Sequence, residues 1–397
     1  MPPVLELPEG QEGVLPAHWL RKAIEAGVIG AEDEIPASNI QPASLDLRLS
    51  DVAYRLQCSF LPNEMTVEGK LKSLGFTKMR IPKKGLVLEP RTPYLIPLME
   101  TLDLPEGLRA KANPKSSTGR ADVFTRVITD RGHRFDDIAA GYQGRLYLEV
   151  VPLSFPVVVK QGLTLNQLRL SQGATDLRDD DLRVASREEA LLYRDGKPVP
   201  ADELELSNGL LLGLDLENAA LGHKAQAHAP VLDLTSRENE RGLFWDPVHI
   251  RDGDRLILSP GEFYLLMSRE AVVIPPTLAA EMTAYDPTSG ELRTHYAGFF
   301  DPGFGFDRTR QHMGSTAALE VRAHDVPFLV EHGQPVCKLT FERMLEPPES
   351  LYGEEVKSNY QGQTETLGKH FRPPETEASA KAPRLEFNQI DLFSEDL

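Results

Sequence analysis

Between residues 40 and 341 the hydrophobic positions of this chain come in short bursts broken by Pro and Gly. Residues 40–49 alternate, with Leu45, Leu47 and Leu49 flanking Asp46 and Arg48. Residues 85–88, 94–98, 146–150 and 155–159 are similar runs of Leu, Ile, Val and aromatic residues. Period-two alternation and β-branched runs bounded by turn formers predict strands, and many short ones predict an antiparallel all-β barrel or sandwich. Two segments break this rhythm. Residues 19–26 have helical spacing and stop at Gly27, a natural position just beyond a helix end. Ser186-Arg187-Glu188-Glu189 has the form of a capping box, which predicts a short surface helix through Ala190-Leu191-Leu192-Tyr193. Residues 1–15 are rich in Pro, Gly and Glu, and residues from 373 onward in Pro, Glu, Ala and Ser, which predicts an arm and a disordered tail.

The strand pattern occurs twice. Leu45-Asp46-Leu47 falls on Leu214-Asp215-Leu216 at a shift of 169. Pro90, Tyr94, Glu100, Pro105 and Leu108 fall on Pro260, Tyr264, Glu270, Pro275 and Leu278 at a shift of 170. Glu149-Val150, Pro156, Gly162 and Leu168 fall on Glu320-Val321, Pro327, Gly333 and Leu339 at a shift of 171. A period this long marks two whole domains with small insertions rather than a solenoid. The boundaries follow as a first domain over 1–171, a charged linker with a short helix over 172–205, a second domain over 206–372, and an acidic tail over 373–397.

Composition narrows the class. A chain of 397 residues can bury two cores. Its net charge of −17 argues against a general nucleic-acid or anionic-membrane binder, although a local basic pocket can still hold a small polyanion. Two cysteines, Cys58 and Cys337, without a C-x-x-C pair fit a reduced, cytoplasmic setting. No apolar run reaches membrane length, and the N-terminus lacks a basic, apolar leader.

Candidate chemistry concentrates in residues 115–149. Lys115-Ser116-Ser117-Thr118-Gly119-Arg120 is a Gly-containing turn with two cations and three hydroxyls, able to wrap a polyphosphate. Glu149 sits inside an apolar strand run, where a dry wall would raise its pKa. An ordinary turn and a solvated strand carboxylate are the competing readings.

Taken together, residues 40–49, the Ser116-Ser117-x-x-Arg120 turn, Ala297-Gly298-Phe299-Phe300-Asp301-Pro302-Gly303-Phe304, Ala318-Leu319-Glu320 and Tyr360-Gln361-Gly362-Gln363 resemble the dCTP deaminase family in a long, duplicated bacterial form. The resemblance covers most of residues 40–372. It implies two tandem dUTPase-like distorted β-barrel domains of the jelly-roll or β-clip kind. It also implies metal-free hydrolysis of dCTP to dUTP and ammonia, in which a glutamate takes a proton from the attacking water and protonates the leaving amine. Mg²⁺ would ride on the triphosphate. Zinc is not expected, because nucleobase deaminases that use it need a Pro-Cys-x-x-Cys ligand set that two distant cysteines cannot supply.

Carried over by position, the resemblance assigns Lys115, Ser116, Ser117 and Arg120 to the phosphates. It assigns Asp136 and Asp301 to sugar or base, Glu149 and Glu320 to proton transfer, and Tyr360 and Gln363 to a segment closing over the nucleotide. The second turn, Asp286-Pro287-Thr288-Ser289-Gly290-Glu291, is degenerate, since Glu291 stands where Arg120 does and would repel a triphosphate. Residues 306–312 form an insertion in the second copy. Family sites are built between neighbouring domains, so the expectation is one composite site: Ser116, Ser117 and Arg120 with Asp301, Glu320, Tyr360 and Gln363. Glu149 facing the Glu291 turn would be inactive or regulatory; alternatively Glu149 serves its own copy's turn from an adjacent chain.

Other residues carry less. His133, His295 and His312 are scattered, Asp46 and Asp215 read as structural, and Phe244 and Trp245 as core or interface aromatics. Gln389-Ile390-Asp391-Leu392-Phe393 resembles the pentapeptide that docks replication proteins on the sliding clamp, through Gln389, Leu392 and Phe393, with an incidental apolar pair in an acidic tail as the competing reading. Alternatives to deamination alone are a bifunctional enzyme giving dUMP and a nucleotide-binding regulator. The family also implies a homo-oligomer with a trimer-like arrangement of domains and dTTP feedback.

Overall fold

The computed structural model describes residues 5–217, 222–248, 250, 255–284, 292–294, 298–311, 313–323, 325–353, 360–363 and 365–373. The second turn with Glu291, His295, His312 and the tail with Gln389, Leu392 and Phe393 lie outside these residues. Regular structure is almost entirely antiparallel strand with a few short helices.

The duplication is visible in strand register. Tyr94–Asp103 pairs with Gln143–Pro152, setting Glu149 opposite Leu95. Phe263–Val272 pairs with Ser315–Ala323, setting Glu320 opposite Leu265. Leu168 on Thr164–Gln172 faces Ala112 on Leu108–Pro114, as Leu339 on Pro335–Arg343 faces Met282 on Leu278–Ala284. Leu86–Leu88 with Val157–Val159 and Arg255–Leu258 with Phe328–Glu331 form matching ribbons, pairing Val87 with Val158 and Ile257 with Leu329.

Each half buries its own core, because alternation sends one face of every strand inward. Leu45, Leu47, Leu49, Leu146, Leu148 and Val150 fill the first; Leu210, Leu212, Leu214, Leu319 and Val321 fill the second. Full burial of each such side chain is worth about 1.5–3 kcal/mol. The halves also interlock. Strand Phe263–Val272 gives Phe263 and Leu265 to the first core and Tyr264 and Leu266 to the second. Leu232–Asp233 from the second half adds a parallel strand to Val157–Val159 of the first. Phe244 and Trp245 pack edge-on against Phe155, each at 5.3 Å, and Phe371 closes the cluster. In return, Val14 of the first half bridges Met344 of the second, and His18 and Trp19 hydrogen-bond Glu346.

Helix Ala17–Glu25 forms as its spacing predicts, with Gly27 at φ +76° just beyond it. The linker helix does not lie where its sequence pattern places it. It runs over Asp179–Glu188 and ends where the predicted one begins. Three aspartates fill its first turn, where negative charge suits the helix dipole, and Asp181 accepts from Arg178 N at 3.0 Å. Leu191 and Leu192 are buried, and Leu192–Arg194 is drawn into a strand against Phe263–Val272. Likewise only Leu45–Arg48 of residues 40–49 is strand, since the chain turns at Pro42, with Gln41 N donating to Ser44 O at 2.8 Å.

Candidate active site

Pro114 ends a strand, and Ser116–Gly119 then makes a single helical turn. Two bonds pin that turn to the next strand: Lys115 N and Thr118 Oγ1 both donate to Leu165 O, at 3.0 and 2.8 Å. The turn therefore presents fixed groups to the space before it. Across that space, strand Ser315–Ala323 of the second half carries Glu320, so close that a Cβ on Gly119 would fall 2.4 Å from Glu320 Oε2. Only glycine admits this approach.

Glu320 is buried, and burial pushes its pKa well above the ordinary carboxylate value; Arg120 opposes the shift and Asp122 adds to it. Among the described residues no ion pair engages its carboxylate. Asp122 is itself held by Arg322 at 2.5 Å and by Ser154. A carboxyl group whose pKa is raised in this way is a better base than a free carboxylate and can take a proton and return it.

Arg120 is buried and ties down the C-terminal segment. Its Nη2 donates to Gln363 Oε1 at 2.5 Å, its Nη1 to Thr366 O at 3.2 Å, and its guanidinium lies 3.9 Å from the centre of the Tyr360 ring. Gln363 Nε2 in turn donates to Thr316 O at 2.5 Å on the Glu320 strand. Residues 360–363 and 365–371 are thus joined to both halves.

Asp301 closes another wall. Its Oδ1 accepts from Arg169 Nη2 and its Oδ2 from Ser44 Oγ, both at 3.1 Å and both from the first half. Phe299, Phe300, Phe304 and Tyr352 form an apolar wall beside it. Cations line the cavity as well: Lys115 and Lys369 face Asp46, which also feels the charge of Asp301, with Arg237 nearby. Burial, reinforced by Lys115, lowers the Lys369 pKa to about 8, while burial raises that of Asp46 against the pull of Lys115.

These groups line one cavity of about 740 Å³, within the usual range for small-ligand pockets. It combines several cations, an aromatic wall and the buried carboxyl group of Glu320. The structure brings together Lys115, Ser116, Ser117, Arg120, Asp301, Glu320, Tyr360 and Gln363. It does not bring Asp136 or Glu149 there, because the cavity takes the Asp/Glu hairpin of the second half, not of the first. Glu149 is fully buried, with Oε2 held by Arg126 Nε at 2.9 Å and Nη2 at 2.6 Å. The Arg126 guanidinium is sandwiched against Phe135 at 3.6 Å and donates to Ser59 at 2.8 Å. Asp136, at φ +62°, turns its carboxylate to accept from Val127 N at 2.7 Å, and burial raises its pKa to about 7.

Sequence reasoning missed Tyr352, Lys369 and the site position of Asp46. Burial raises the Tyr352 hydroxyl pKa, and its ring packs 5.7 Å from Phe304. Its signal was its place just ahead of the Tyr360-Gln361-Gly362-Gln363 motif. Asp46 reads as structural from its recurrence, yet pairs with Lys115 in the cavity wall. Among the described residues no group of three or more His, Cys, Asp or Glu side chains is arranged to hold a metal ion.

Comparison with known proteins gives a consistent result. Residues 11–174 match the model of the 2′-deoxycytidine 5′-triphosphate deaminase N-terminal domain, and residues 178–371 that of its C-terminal domain. A crystal structure of 2′-deoxycytidine 5′-triphosphate deaminase from Agrobacterium tumefaciens superposes with a TM-score of 0.81 at 43% identity, covering 87% of this chain and 99% of that one. The dCTP deaminase of Natronomonas pharaonis is 32% identical over 130 residues, which is 32% of this chain and 62% of that protein. A protein of Coprothermobacter proteolyticus named dCTP deaminase, dUMP-forming, is 30% identical over 138 residues, covering 34% of this chain and 67% of its own length.

Proposed function

The chain belongs to the 2′-deoxycytidine 5′-triphosphate deaminase family, and on that premise we propose that it hydrolyses dCTP to dUTP and ammonia in the cavity between its halves. The observation that carries this is Glu320: a buried carboxyl group of raised pKa pressed against the Gly119 turn of the other half. In this reading the triphosphate lies along Lys115, Ser116, Ser117 and Lys369, and the base reaches Glu320 between Asp301 and the aromatic wall. Glu320 takes a proton from water as its oxygen bonds to C4. Of the two water hydrogens, one ends on ring nitrogen N3 and the other leaves with the amine as NH₃ when the C4–N bond breaks. Tyr360 and Gln363, tied to Arg120, keep bulk water out, which strengthens every charge interaction inside. Mg²⁺ would be held by phosphate oxygens and water and would neutralise part of the triphosphate charge. Asp46 and Asp301 are already engaged by Lys115 and by Arg169 with Ser44.

Incubation with dCTP and Mg²⁺, with nucleotides resolved by chromatography and ammonia by a coupled assay, tests the reading. Ammonia with accumulating dUTP is the expected result. Ammonia with dUMP and pyrophosphate would instead make the enzyme bifunctional, a reading favoured by the dUMP-forming name of several relatives. Bound nucleotide without ammonia would make it a regulator. dTTP, sharing the deoxyribose triphosphate, should compete for the same cations.

Association of chains fits the ribbon geometry. In the first half Leu232 N and Leu234 N cap the Val157–Val159 edge by donating to Pro156 O and Val158 O. The matching edge in the second half carries no such strand among the described residues, and Ile257, Val326 and Leu329 are 63%, 50% and 47% exposed. A second copy of the chain is the occupant we propose there, and Leu329→Lys should then lower the mass seen by light scattering. Cytoplasmic residence fits the two free cysteines, and among the described residues no helix is long and apolar enough to cross a membrane. Clamp docking through Gln389, Leu392 and Phe393 would be tested by binding of a peptide spanning residues 384–397.

A further inference from the structure

The strand Thr164–Gln172 belongs to the first half, yet one of its side chains shapes the second half's part of the cavity. Arg169 is 1% exposed. Its ring-like guanidinium lies 4.0 Å from the centre of the Phe299 ring, reaches Phe300 O at 3.4 Å and donates to Asp301 Oδ1 at 3.1 Å. It therefore grips three consecutive residues that all line the cavity. Its other terminal nitrogen is fixed by Glu342 Oε2 at 2.8 Å and Ala280 O at 3.3 Å, so the group cannot swing freely. Glu342 is steadied by Thr175 Oγ1 at 2.9 Å. Burial alone would raise the Glu342 pKa; the charge and hydrogen bond of Arg169 outweigh it and hold the carboxyl below its usual value. Ser44 holds the remaining oxygen of Asp301.

The duplication supplies a comparison inside the same molecule. At the shift that carries Glu149 to Glu320, Arg169 falls on Thr340. Their strand positions match, Arg169 opposite Lys111 and Thr340 opposite Glu281. Among the described residues Thr340 reaches only Glu281 O, at 3.4 Å. A threonine cannot span to the neighbouring half, and the pairing of Ile138 with Ala110, which matches that of Phe300 with Ala280, puts Ala139 and no aspartate at the counterpart of Asp301. So of the two hairpins, only that of the second half carries at this position an aspartate held by the opposite half.

We propose that Arg169, with Ser44, is a positioning residue that orients the Phe299-Phe300-Asp301 wall toward the nucleotide, and that the Thr340 counterpart leaves the reciprocal site without this device. The proposal rests on the deaminase reading of the cavity. It makes the duplicated chain one-directional: a single productive site built from both halves.

A double-mutant cycle tests it with Arg169→Lys, Asp301→Asn and their combination, read as kcat/KM for ammonia release, as Kd for dCTP by calorimetry, and as Tm. Lysine keeps the charge, but its three donors at a single point cannot hold two carboxylates and two carbonyls at once. Acting through Asp301, Arg169→Lys should lower kcat/KM and weaken dCTP binding by about tenfold or more in the wild-type background, and by less than about threefold when Asp301 is already Asn. Its effect on Tm should be alike in both backgrounds. Equal losses in both backgrounds, or Arg169→Lys matching wild type, would overturn the proposal. If Arg169→Lys does not fold, Ser44→Ala runs through the same cycle, with a loss confined to the Asp301 background expected and additivity overturning it. Absence of ammonia from the wild type would sink the function reading alone, because the cycle remains legible in Kd.

Discussion

Replacing Gly119 with alanine should separate activity from stability. A Cβ at that position would lie 2.4 Å from Glu320 Oε2, 2.5 Å from Oε1 and 2.7 Å from Cδ, whereas ordinary contact begins at 3.4 Å. The carboxylate must therefore retreat by about 1 Å, the difference between 3.4 and 2.4 Å. It can do so, being the far end of a flexible side chain, so the fold has little to lose. Gly119 also lies in the helical turn Ser116–Gly119 and has no left-handed backbone to protect; alanine there gains up to about 1 kcal/mol by restricting the unfolded chain. Tm should hold within a few degrees or rise. Catalysis should not hold. A displacement of about 1 Å in a proton-transfer group costs roughly 100-fold, or about 2.7 kcal/mol in the barrier. Calorimetry gives Tm, and ammonia release gives kcat/KM. A kcat/KM within threefold of wild type would refute the reasoning, since Glu320 would then function without the close approach the structure shows. A collapse of Tm would refute the other half of it, by showing that the turn rather than the carboxylate must give way.

Three further outcomes follow from the same geometry. Glu149→Gln should leave turnover nearly intact while destabilising the fold by about 1–3 kcal/mol, because it strips charge from a buried Arg126 pair; denaturant unfolding checks this, and lost turnover would contradict it. Asp136→Asn should be neutral at low pH and stabilising at high pH. The folded carboxyl has its pKa raised to about 7 from 3.8, so its contribution is present below 3.8 and lost as pH rises through about 7; a Tm gap that does not widen over that window would contradict it. Lys369, with its pKa lowered to about 8, should give kcat/KM a basic limb near that pH, which Lys369→Arg should move upward; an unmoved limb would remove Lys369 from the nucleotide site.

Much of this was legible in the sequence, and the reasons are physical. A tandem repeat preserves register, so the shifts of 169 to 171 led to strand pairings that recur residue for residue, such as Glu149 opposite Leu95 and Glu320 opposite Leu265. The composite cavity followed from placing an intact turn in one copy and a tail motif in the other. What stayed hidden depends on how two halves pack. Arg169 sits in an alternating strand run and reads as a solvated charge; only the approach of Asp301 and Glu342 from the other half makes it a buried anchor. Asp46 and Lys369 lie 323 residues apart yet share one cavity wall. The linker helix was displaced because Leu191 and Leu192 prefer a buried strand to an exposed helical face, a tertiary choice that local capping patterns do not encode. The pairing of Glu149 with Arg126 was undecidable from its strand alone, since Arg126 becomes a partner only through the cross-strand register.

The central claim is that Glu320, and not Glu149, carries the protons of deamination at a site shared by both halves. Single-turnover ammonia release from dCTP by wild type, Glu320→Gln and Glu149→Gln, with dCTP affinity measured alongside, addresses it most directly. The account predicts a fall of about 1,000-fold or more for Glu320→Gln with dCTP still bound, and little change for Glu149→Gln. Turnover surviving in Glu320→Gln but abolished in Glu149→Gln would contradict it, and would move the chemistry to the hairpin of the first half.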